Sequence, residues 1–320
     1  MAAPALADGD CPAVATVWDP ADPIDLGLVL GQLGRGAGDP TLQWDRAGRH
    51  GPAGVWRTLR TPQGAATLHL AQSASGAVHA RAWGPGAEWT IEGVPEQLGA
   101  GDDASGLDLS AAPALAEAYR RLPGLRLARV ALVVEMLLAA ILEQKVTVKE
   151  AHASWRWLLR RHGDIPPGPA PEGMRVLPSA RRVLDVTDWQ WHRCGLDGAR
   201  RRALRAVASV ASRLEPEVAG DSPALQKRLC SVPGIGVWTA AEVVQRALGC
   251  PDTVSVGDYH LKNIVGWSLA GRRESDDDQM LELLEPWRGQ RQRVVRLLLA
   301  GSSRRPRRGP RFAPTDHRRI

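Results

Sequence analysis

The sequence has few cysteines, few phenylalanines and few tyrosines. Its four cysteines stand at positions 11, 194, 230 and 250, and no two of them form a CxxC pair. This spacing argues against a zinc site or a disulfide framework, and it fits the reduced thiols of a cytoplasmic protein. Twelve tryptophans accompany one phenylalanine and two tyrosines. We expect most of these tryptophans to pack in the interior or between domains.

Long hydrophobic runs are also missing. The longest candidate, residues 130–142, contains Glu135. A membrane-spanning helix needs about 20 apolar residues, so this run predicts a buried helix and no membrane partner. The first residues, MAAPALADGDCPAV, have neither a basic start nor a long apolar stretch. This argues against a secretory signal, and we expect a cytoplasmic protein.

The net charge of +6 comes from the end of the sequence. Residues 301–320 contain seven arginines and one aspartate, which leaves 34 basic and 34 acidic residues in the remainder. A Pro- and Arg-rich segment of this kind is typical of a disordered tail. It would add a salt-sensitive attraction to phosphates. The overall charge is therefore a poor argument that the folded body binds nucleic acid.

Composition divides the chain into three parts. Residues 1–112 are rich in Gly, Pro and Thr, and residues 66–70 and 77–83 alternate apolar and polar side chains. This period predicts a small antiparallel sheet, which we expect together with two helices in an N-terminal α+β domain. Residues 101–110 resemble a linker. Residues 113–300 predict a mainly α domain, and residues 301–320 form the basic tail.

Capping patterns predict the helix boundaries in the second part. A buried helix is predicted over residues 127–142, and Thr147 with Glu150 forms a capping box that starts the next helix. Residues 144–146 are then a tight connection between two helices. Further helix starts are indicated at Thr187 with Gln190, at Asp197, and at Ser222 with Pro223.

The stretch VPGIG, residues 232–236, joins two predicted helices. Such a hairpin leaves backbone N–H groups free at the positive end of the second helix dipole. Its glycines let a bulky phosphate group approach without a Cβ in the way. The pattern therefore predicts an anion site, although it also fits an ordinary corner between two helices.

Asp258 stands directly before an apolar-periodic helix that contains Leu261 and Val265. As an N-cap it would accept backbone N–H bonds and stay ionised. A plain cap is the simplest interpretation of a lone aspartate. Beside a phosphate-binding hairpin, however, such a carboxylate is suited to stabilising positive charge on a sugar that is losing its base.

Five stretches together resemble the helix-hairpin-helix DNA glycosylase superfamily, and within it the 3-methyladenine DNA glycosylase II (AlkA-like) branch. They are LPGLRLAR (122–129), AAILEQKVT (139–147), VPGIGVWTA (232–240), DYHLK (258–262) and EPWR (285–288), in the order of the family. The N-terminal sheet fits the additional domain of this branch more loosely. The resemblance implies two helical subdomains that flank an active-site cleft, plus the small antiparallel-sheet domain.

The resemblance implies a monofunctional DNA glycosylase of base excision repair. Such an enzyme flips an alkylated purine, such as 3-methyladenine, out of double-stranded DNA and hydrolyses its N-glycosidic bond. Asp258 matches the catalytic aspartate, which stabilises an oxocarbenium-like sugar or activates water. Bifunctional relatives carry a lysine where this chain has Trp238. Without that amine, lyase chemistry through a Schiff base is not expected.

The resemblance also assigns the remaining site residues. The hairpin residues that hold a DNA phosphate are Pro233, Gly234, Ile235, Gly236, Val237 and Thr239. The base pocket is lined by Trp238, Glu242 and Tyr259, and the wedge that enters the duplex is Gln144 with Lys145. The main-chain carbonyls that would hold a monovalent cation are those of Cys230, Val232 and Ile235.

The chain departs from the family at three of these positions. Lys145 replaces an apolar wedge residue, so its alkyl stem fills the gap in the duplex or its amine grips a phosphate. Glu242 and Arg296 replace aromatic pocket residues; alternatively, both lie on solvated helix faces. Trp238 either stacks near the flipped base or packs in the core.

No cofactor other than the monovalent cation is implied. The chain lacks the four closely spaced cysteines that ligate an iron–sulfur cluster in the endonuclease III branch. We expect a monomer whose partner is double-stranded DNA containing damaged bases. Two other functions also fit the sequence: a non-catalytic helix-hairpin-helix protein that senses damaged DNA, and a glycosylase for deaminated or oxidised bases.

Overall fold

The computed structural model describes residues 13–48, 50 and 53–301. The predicted disordered tail falls outside these residues, apart from Gly301, which ends the last helix. Within the described residues, no helix combines the length and the apolarity that crossing a membrane requires.

The N-terminal part is a five-stranded antiparallel sheet with the strand order β1-β5-β4-β3-β2. The strands are β1 Val14–Trp18, β2 Leu42–Asp45, β3 Gly54–Thr61, β4 Gly64–Gln72 and β5 Val78–Trp83. Strands β3 and β4 form a hairpin in which Thr61 pairs with Gly64 and Val55 with Leu70. The apolar side chains of one face join the main core. Trp56 and Trp83 pack with Met174 on the opposite face, so both faces of the sheet are covered.

The rest of the structure is helical, which confirms the predicted fold class. The helices are α1 Leu26–Leu30, α2 Ala87–Glu92, α3 Val94–Gln97, α4 Pro113–Arg121, α5 Val133–Leu142, α6 Val148–His162, α7 Ala180–Asp185, α8 Asp188–Cys194, α9 Gly198–Leu214, α10 Ser222–Cys230, α11 Val237–Ala247, α12 Leu261–Ala270, α13 Asp277–Leu284 and α14 Arg291–Gly301. Short 3-10 turns lie at Gly31–Leu33, Glu215–Ala219 and Glu285–Trp287.

The two predicted capping boxes and the predicted cap at Asp197 are confirmed. Thr147 and Glu150 form both bonds of a capping box at the start of α6, and Thr187 and Gln190 do the same at α8. Asp197 accepts the backbone N–H groups of Ala199 and Arg200 at the start of α9. Short polar side chains therefore fix these helix starts locally, as the sequence pattern indicates.

Three expectations about helices were wrong. The buried helix begins at Val133 and not at residue 127, because the backbone N–H groups of Val130 and Ala131 bond to carbonyls at the end of α11. Ala131 also has a φ of 54°, which a right-handed helix excludes. The described residues of the N-terminal part contain three short α-helices, α1 to α3, where two were expected. The helix α12 begins at Leu261 and not directly after Asp258.

The apolar side chains form two large clusters that divide the helices. The first joins the sheet to α5, α9 and α11, and the second joins α4 to α12, α13 and α14. Residue 112 lies directly before α4. Because the first cluster contains side chains from both sides of this point, the domain boundary at residue 112 stays a prediction.

Candidate functional site

The hairpin between α10 and α11 needs glycine at one position and leaves space at another. Gly234 has a φ of 87°, and a Cβ there would lie 2.6 Å from the Cβ of Ala203 on α9. A Cβ on Gly236 would meet nothing within 4 Å. Gly234 is therefore required by the fold of the hairpin, whereas Gly236 borders open space that a ligand can approach.

The first turn of α11 has free backbone donors. The first internal backbone bond of this helix runs from the N–H of Ala240 to the carbonyl of Gly236, at 3.0 Å. The N–H groups of Val237, Trp238 and Thr239 precede that bond and are not used by the helix. In the described part of the chain, no side chain caps α11. This helix start therefore suits an anion.

The predicted wedge lies against the hairpin. Gln144, in the turn between α5 and α6, donates from Nε2 to the carbonyl of Gly234 at 3.0 Å and to Oγ1 of Thr239 at 2.9 Å. Lys145 follows with an exposed side chain and a φ of 52°. Its left-handed backbone presents the lysine at the surface beside the hairpin.

Asp258 lies across from the hairpin helix. Its Oδ1 accepts the backbone N–H groups of His260 and Leu261, each at 2.8 Å, and its Oδ2 lies 3.3 Å from the indole Nε1 of Trp238. The prediction that Asp258 is the N-cap of α12 was wrong, because the helix begins at Leu261 and its N-cap is His260. Asp258 lies two residues before that cap and still accepts the backbone N–H groups at the helix start. The bond between Asp258 and Trp238 therefore links the start of α12, a helix of the second apolar cluster, to α11, a helix of the first.

A row of polar side chains continues along α11 from Trp238. Glu242 is one turn further on and Arg246 is two turns further on. Oε2 of Glu242 accepts from Nη1 of Arg246 at 2.8 Å, and Oε1 accepts from the hydroxyl of Ser255 at 2.5 Å. The side chains of Glu242 and Arg246 are only 14% and 18% exposed. Glu242 therefore does not lie on a solvated helix face.

Arg296 on α14 faces the same row. Burial and the positive charge of Arg246 lower the pKa of Arg296 to about 10, against the opposing charge of Glu242. Its Nε is buried, and among the described residues it has no hydrogen-bond partner. Arg246 differs, because Glu242 and Glu143 hold its pKa above the ordinary value in spite of burial. The alternative of a solvated face is thus wrong for Arg296 as well.

The sequence is similar to that of a curated DNA repair protein over part of its length. The "Probable bifunctional transcriptional activator/DNA repair enzyme AlkA" of Mycobacterium tuberculosis (strain CDC 1551 / Oshkosh) is 29% identical over 164 residues. This stretch covers 48% of the present chain and 31% of the relative, so it spans about a third of the curated protein. The same protein of strain H37Rv matches equally. No protein-family model matches the chain.

Solved structures match over nearly the whole chain. A 3-methyladenine DNA-glycosylase from Archaeoglobus fulgidus superposes with a TM-score of 0.73 at 16% identity, covering 89% of this chain and 97% of that one. The 8-oxoguanine glycosylase/lyase of Clostridium acetobutylicum, in its apo form, gives 0.68 at 12% identity, covering 92% and 99%. The chain has the helix-hairpin-helix DNA glycosylase fold. The mycobacterial relative supports the resemblance to the AlkA-like branch over the part of the chain that it matches.

In this glycosylase fold, sequence reasoning missed a polar chain behind Glu242. Gln245 donates from Nε2 to the carbonyl of Thr253 and to Oγ of Ser255, both at 2.8 Å. Gln292 on α14 donates from its own Nε2 to Oε1 of Gln245 at 3.0 Å. The spacing of these residues in the sequence could have indicated the polar chain. Gln292 lies one turn before Arg296, and Gln245 lies on the same side of α11 as Glu242.

The remaining assigned residues lie at the end of α10, in the hairpin between α10 and α11, and next to Asp258 in the sequence. Tyr259 is 69% exposed and meets His260 edge-on. Val232 and Ile235 are buried, Cys230 is exposed, and the Val232 carbonyl accepts the N–H of Ile235 at 3.1 Å. Within the described residues, no group of three or more His, Cys, Asp or Glu side chains could hold a metal ion. The roles assigned to these residues stay predictions.

Proposed function

We propose that this chain is a monofunctional DNA glycosylase that releases alkylated purines of the 3-methyladenine type from damaged double-stranded DNA. It would act in base excision repair, as a cytoplasmic monomer. The fold and the similarity to AlkA support this function. The observation that carries it is that the Asp258 carboxylate lies beside Trp238. Trp238 is in the first turn of α11, where the first backbone N–H groups are free.

DNA binding would use the turn between α5 and α6 and the hairpin between α10 and α11, which the side chain of Gln144 connects by hydrogen bonds. The free N–H groups of α11 would hold a phosphate of the damaged strand, and Gly236 leaves room for its approach. Lys145 would occupy the gap that the flipped nucleotide leaves, which offsets part of the cost of unstacking. The main-chain carbonyls of Cys230, at the end of α10, and of Val232 and Ile235, in the hairpin, would hold a monovalent cation that braces the hairpin.

The chemistry would be hydrolysis of the bond between C1′ of the sugar and the purine nitrogen. The electron pair of this bond leaves with the base, and an alkylated purine that carries a positive charge leaves as a neutral molecule. The sugar gains oxocarbenium character, which the Asp258 carboxylate stabilises. Water then adds to C1′ and loses a proton, which gives an abasic site. Trp238 offers no amine that could form a Schiff base, so the DNA backbone stays intact.

The test is base release from methylated duplex DNA, with identification of the free bases. The wild type should release 3-methyladenine or 7-methylguanine, and the abasic sites should stay uncut until alkali is added. Asp258→Asn should lower the single-turnover rate constant at least about 100-fold while DNA binding persists. Asp276→Asn, which changes the capping aspartate of α13, is the matched control and should act like the wild type.

Three outcomes would contradict the proposal in different ways. Strand cleavage without alkali would show lyase activity. Release of deaminated or oxidised bases alone would show that these lesions, and not alkylated purines, are the substrates. Binding of every damaged duplex without release of any base would favour the non-catalytic damage sensor.

A further inference from the structure

Two buried polar atoms one turn apart on α14 lack hydrogen-bond partners. They are Oε1 of Gln292, an acceptor on a side chain that is 5% exposed, and Nε of Arg296, a donor. Neither atom has a partner within the described residues. Because buried polar groups in folded proteins are nearly always bonded, a pair of such atoms points to a ligand that completes them.

The polarity of the neighbouring network fixes the Gln292 atom as an acceptor. Ser255 donates its hydroxyl proton to the carboxylate of Glu242, so its oxygen can accept from Gln245. The amide nitrogen of Gln245 also donates to a main-chain carbonyl, which leaves its amide oxygen to accept from Gln292. The network therefore runs in one direction from the carboxylate and ends on a free oxygen.

The Arg296 donor stays open because Glu242 is already engaged. Each oxygen of the Glu242 carboxylate accepts a bond, one from Arg246 and one from Ser255. Arg296 thus has a buried, unbonded N–H at Nε, and its guanidinium interacts electrostatically with that of Arg246. A neutral acceptor suits this position, since a guanidinium has only donors.

Gln292 and Arg296 are each linked to the polar row of α11, Gln292 by its bond to Gln245 and Arg296 by its electrostatic interaction with Glu242. Trp238 bonds to Asp258, Glu242 follows one turn later, and Arg296 interacts with Glu242. A base flipped toward Asp258 would bring its edge to this row. The carboxylates of Asp258 and Glu242 balance the guanidiniums of Arg246 and Arg296, so a positively charged purine is not repelled.

An unmodified purine edge carries one donor and one acceptor side by side. Adenine presents its 6-amino group beside N1, and guanine presents O6 beside the N1 proton. We propose that Gln292 and Arg296 bind this edge of the flipped base, and that the substrates are purine lesions whose N1 and 6-position remain free. Methylation at N3 or N7 leaves that edge open, whereas a ring fused across N1 and N6, as in 1,N6-ethenoadenine, closes it. This inference rests on the proposed function.

The wild-type chain gives the first test. The single-turnover rate constant of release is measured for 3-methyladenine, 7-methylguanine and 1,N6-ethenoadenine. Each rate constant is divided by that of spontaneous loss of the same base from the same DNA, and the quotient is the rate enhancement. The enhancement should be at least about 100-fold larger for the methylated purines, because the fused ring leaves buried polar groups unpaired.

The variants Gln292→Met and Arg296→Met remove the open atoms with little change of volume. Each should lower the release of methylated purines about 10- to 100-fold and leave ethenoadenine nearly unchanged, so the ratio between the substrates collapses. Affinity for a duplex with a tetrahydrofuran abasic site should persist, because that ligand has no base. Arg120→Met, on the exposed face of α4, is the matched control.

Equal enhancement for both lesion classes in the wild type would overturn the inference and leave the proposed function standing. The same conclusion follows if the variants lower both rates by the same factor. Release of no base from any duplex would overturn the proposed function itself. If a variant fails to fold, the wild-type ratio still decides.

Discussion

Gln144 donates its side-chain amide to the carbonyl of Gly234, which follows it by 90 residues. A second bond from the same nitrogen reaches Oγ1 of Thr239 in the first turn of α11. The turn proposed to enter the duplex and the hairpin proposed to hold a phosphate are therefore held at a fixed separation. Gln144 is a positioning residue in this arrangement, and Lys145 is left as the side chain that can enter the duplex.

Gln144→Ala should uncouple the two turns without disturbing the core. Loss of two half-exposed hydrogen bonds should lower the single-turnover rate constant for base release about tenfold and change the free energy of unfolding by about 1 kcal/mol. Gln63→Ala, in the exposed turn between β3 and β4, is the control. A variant with an unchanged rate constant would show that the bonds only stabilise the fold.

Trp238→Phe should distinguish the role of the aromatic ring from that of the indole N–H group. The phenyl ring keeps most of the apolar contact but cannot donate to Oδ2 of Asp258. We expect about a tenfold lower rate constant at saturating enzyme, with the affinity for an abasic-site duplex retained. Trp189→Phe, at a residue that is 67% exposed on α8, should have no effect. Loss of affinity without loss of rate would instead assign Trp238 to DNA binding.

Local signals predicted the hairpin and the helix starts that have capping boxes. They did not predict the starts of α5 and α12 or the buried side chains of the site. The capping boxes at Thr147 and Thr187 need only neighbouring residues, so their pattern is visible in the sequence. The helix at Val133 starts late because a distant element, the end of α11, takes the preceding backbone bonds. The environment of Glu242 likewise depends on distant residues. Ser255 comes from the loop before α12, and Arg296 comes from α14.

Glu242→Ala should destabilise the protein strongly. It would leave Arg246 buried without its carboxylate, and breaking such a pair costs about 3 kcal/mol. Urea denaturation should show this loss in the free energy of unfolding. Glu117→Ala, which removes an exposed partner of Arg120 on α4, should cost less than about 0.5 kcal/mol. Equal small losses in both variants would mean that Arg246 finds another partner.

Glu215 should make stability depend on pH. Its carboxylate accepts the backbone N–H groups of Val133 and Val134 at the start of α5, which favours the charged form. Burial outweighs these bonds and, with the charge of Glu135, raises the pKa of Glu215 to about 7. The folded state therefore holds a proton that the unfolded state releases near pH 4.5. Stability should fall by about 3 kcal/mol as pH rises from about 4.5 to 7.

Glu215→Gln is the check on this pH dependence. Urea denaturation between pH 4.5 and 8 should show a smaller decline in the free energy of unfolding for this variant than for the wild type. Glu217→Gln, in the same 3-10 turn, should decline like the wild type. A Glu215→Gln curve parallel to that of the wild type would assign the pH dependence to other groups.

Lys145→Gly should raise stability and lower activity. The φ of 52° at Lys145 is costly for a side chain with a Cβ and costs glycine almost nothing. Relief of this strain should stabilise the fold by up to about 1 kcal/mol, observed as a higher midpoint in urea. The same change removes the side chain proposed to fill the gap in the duplex, so base release should slow about tenfold or more. Lys149→Gly, at an exposed position in the first turn of α6, should instead lower stability by about 1 kcal/mol and leave the rate unchanged. Opposite signs of stability and activity at Lys145 alone would show that the strained backbone is retained for DNA.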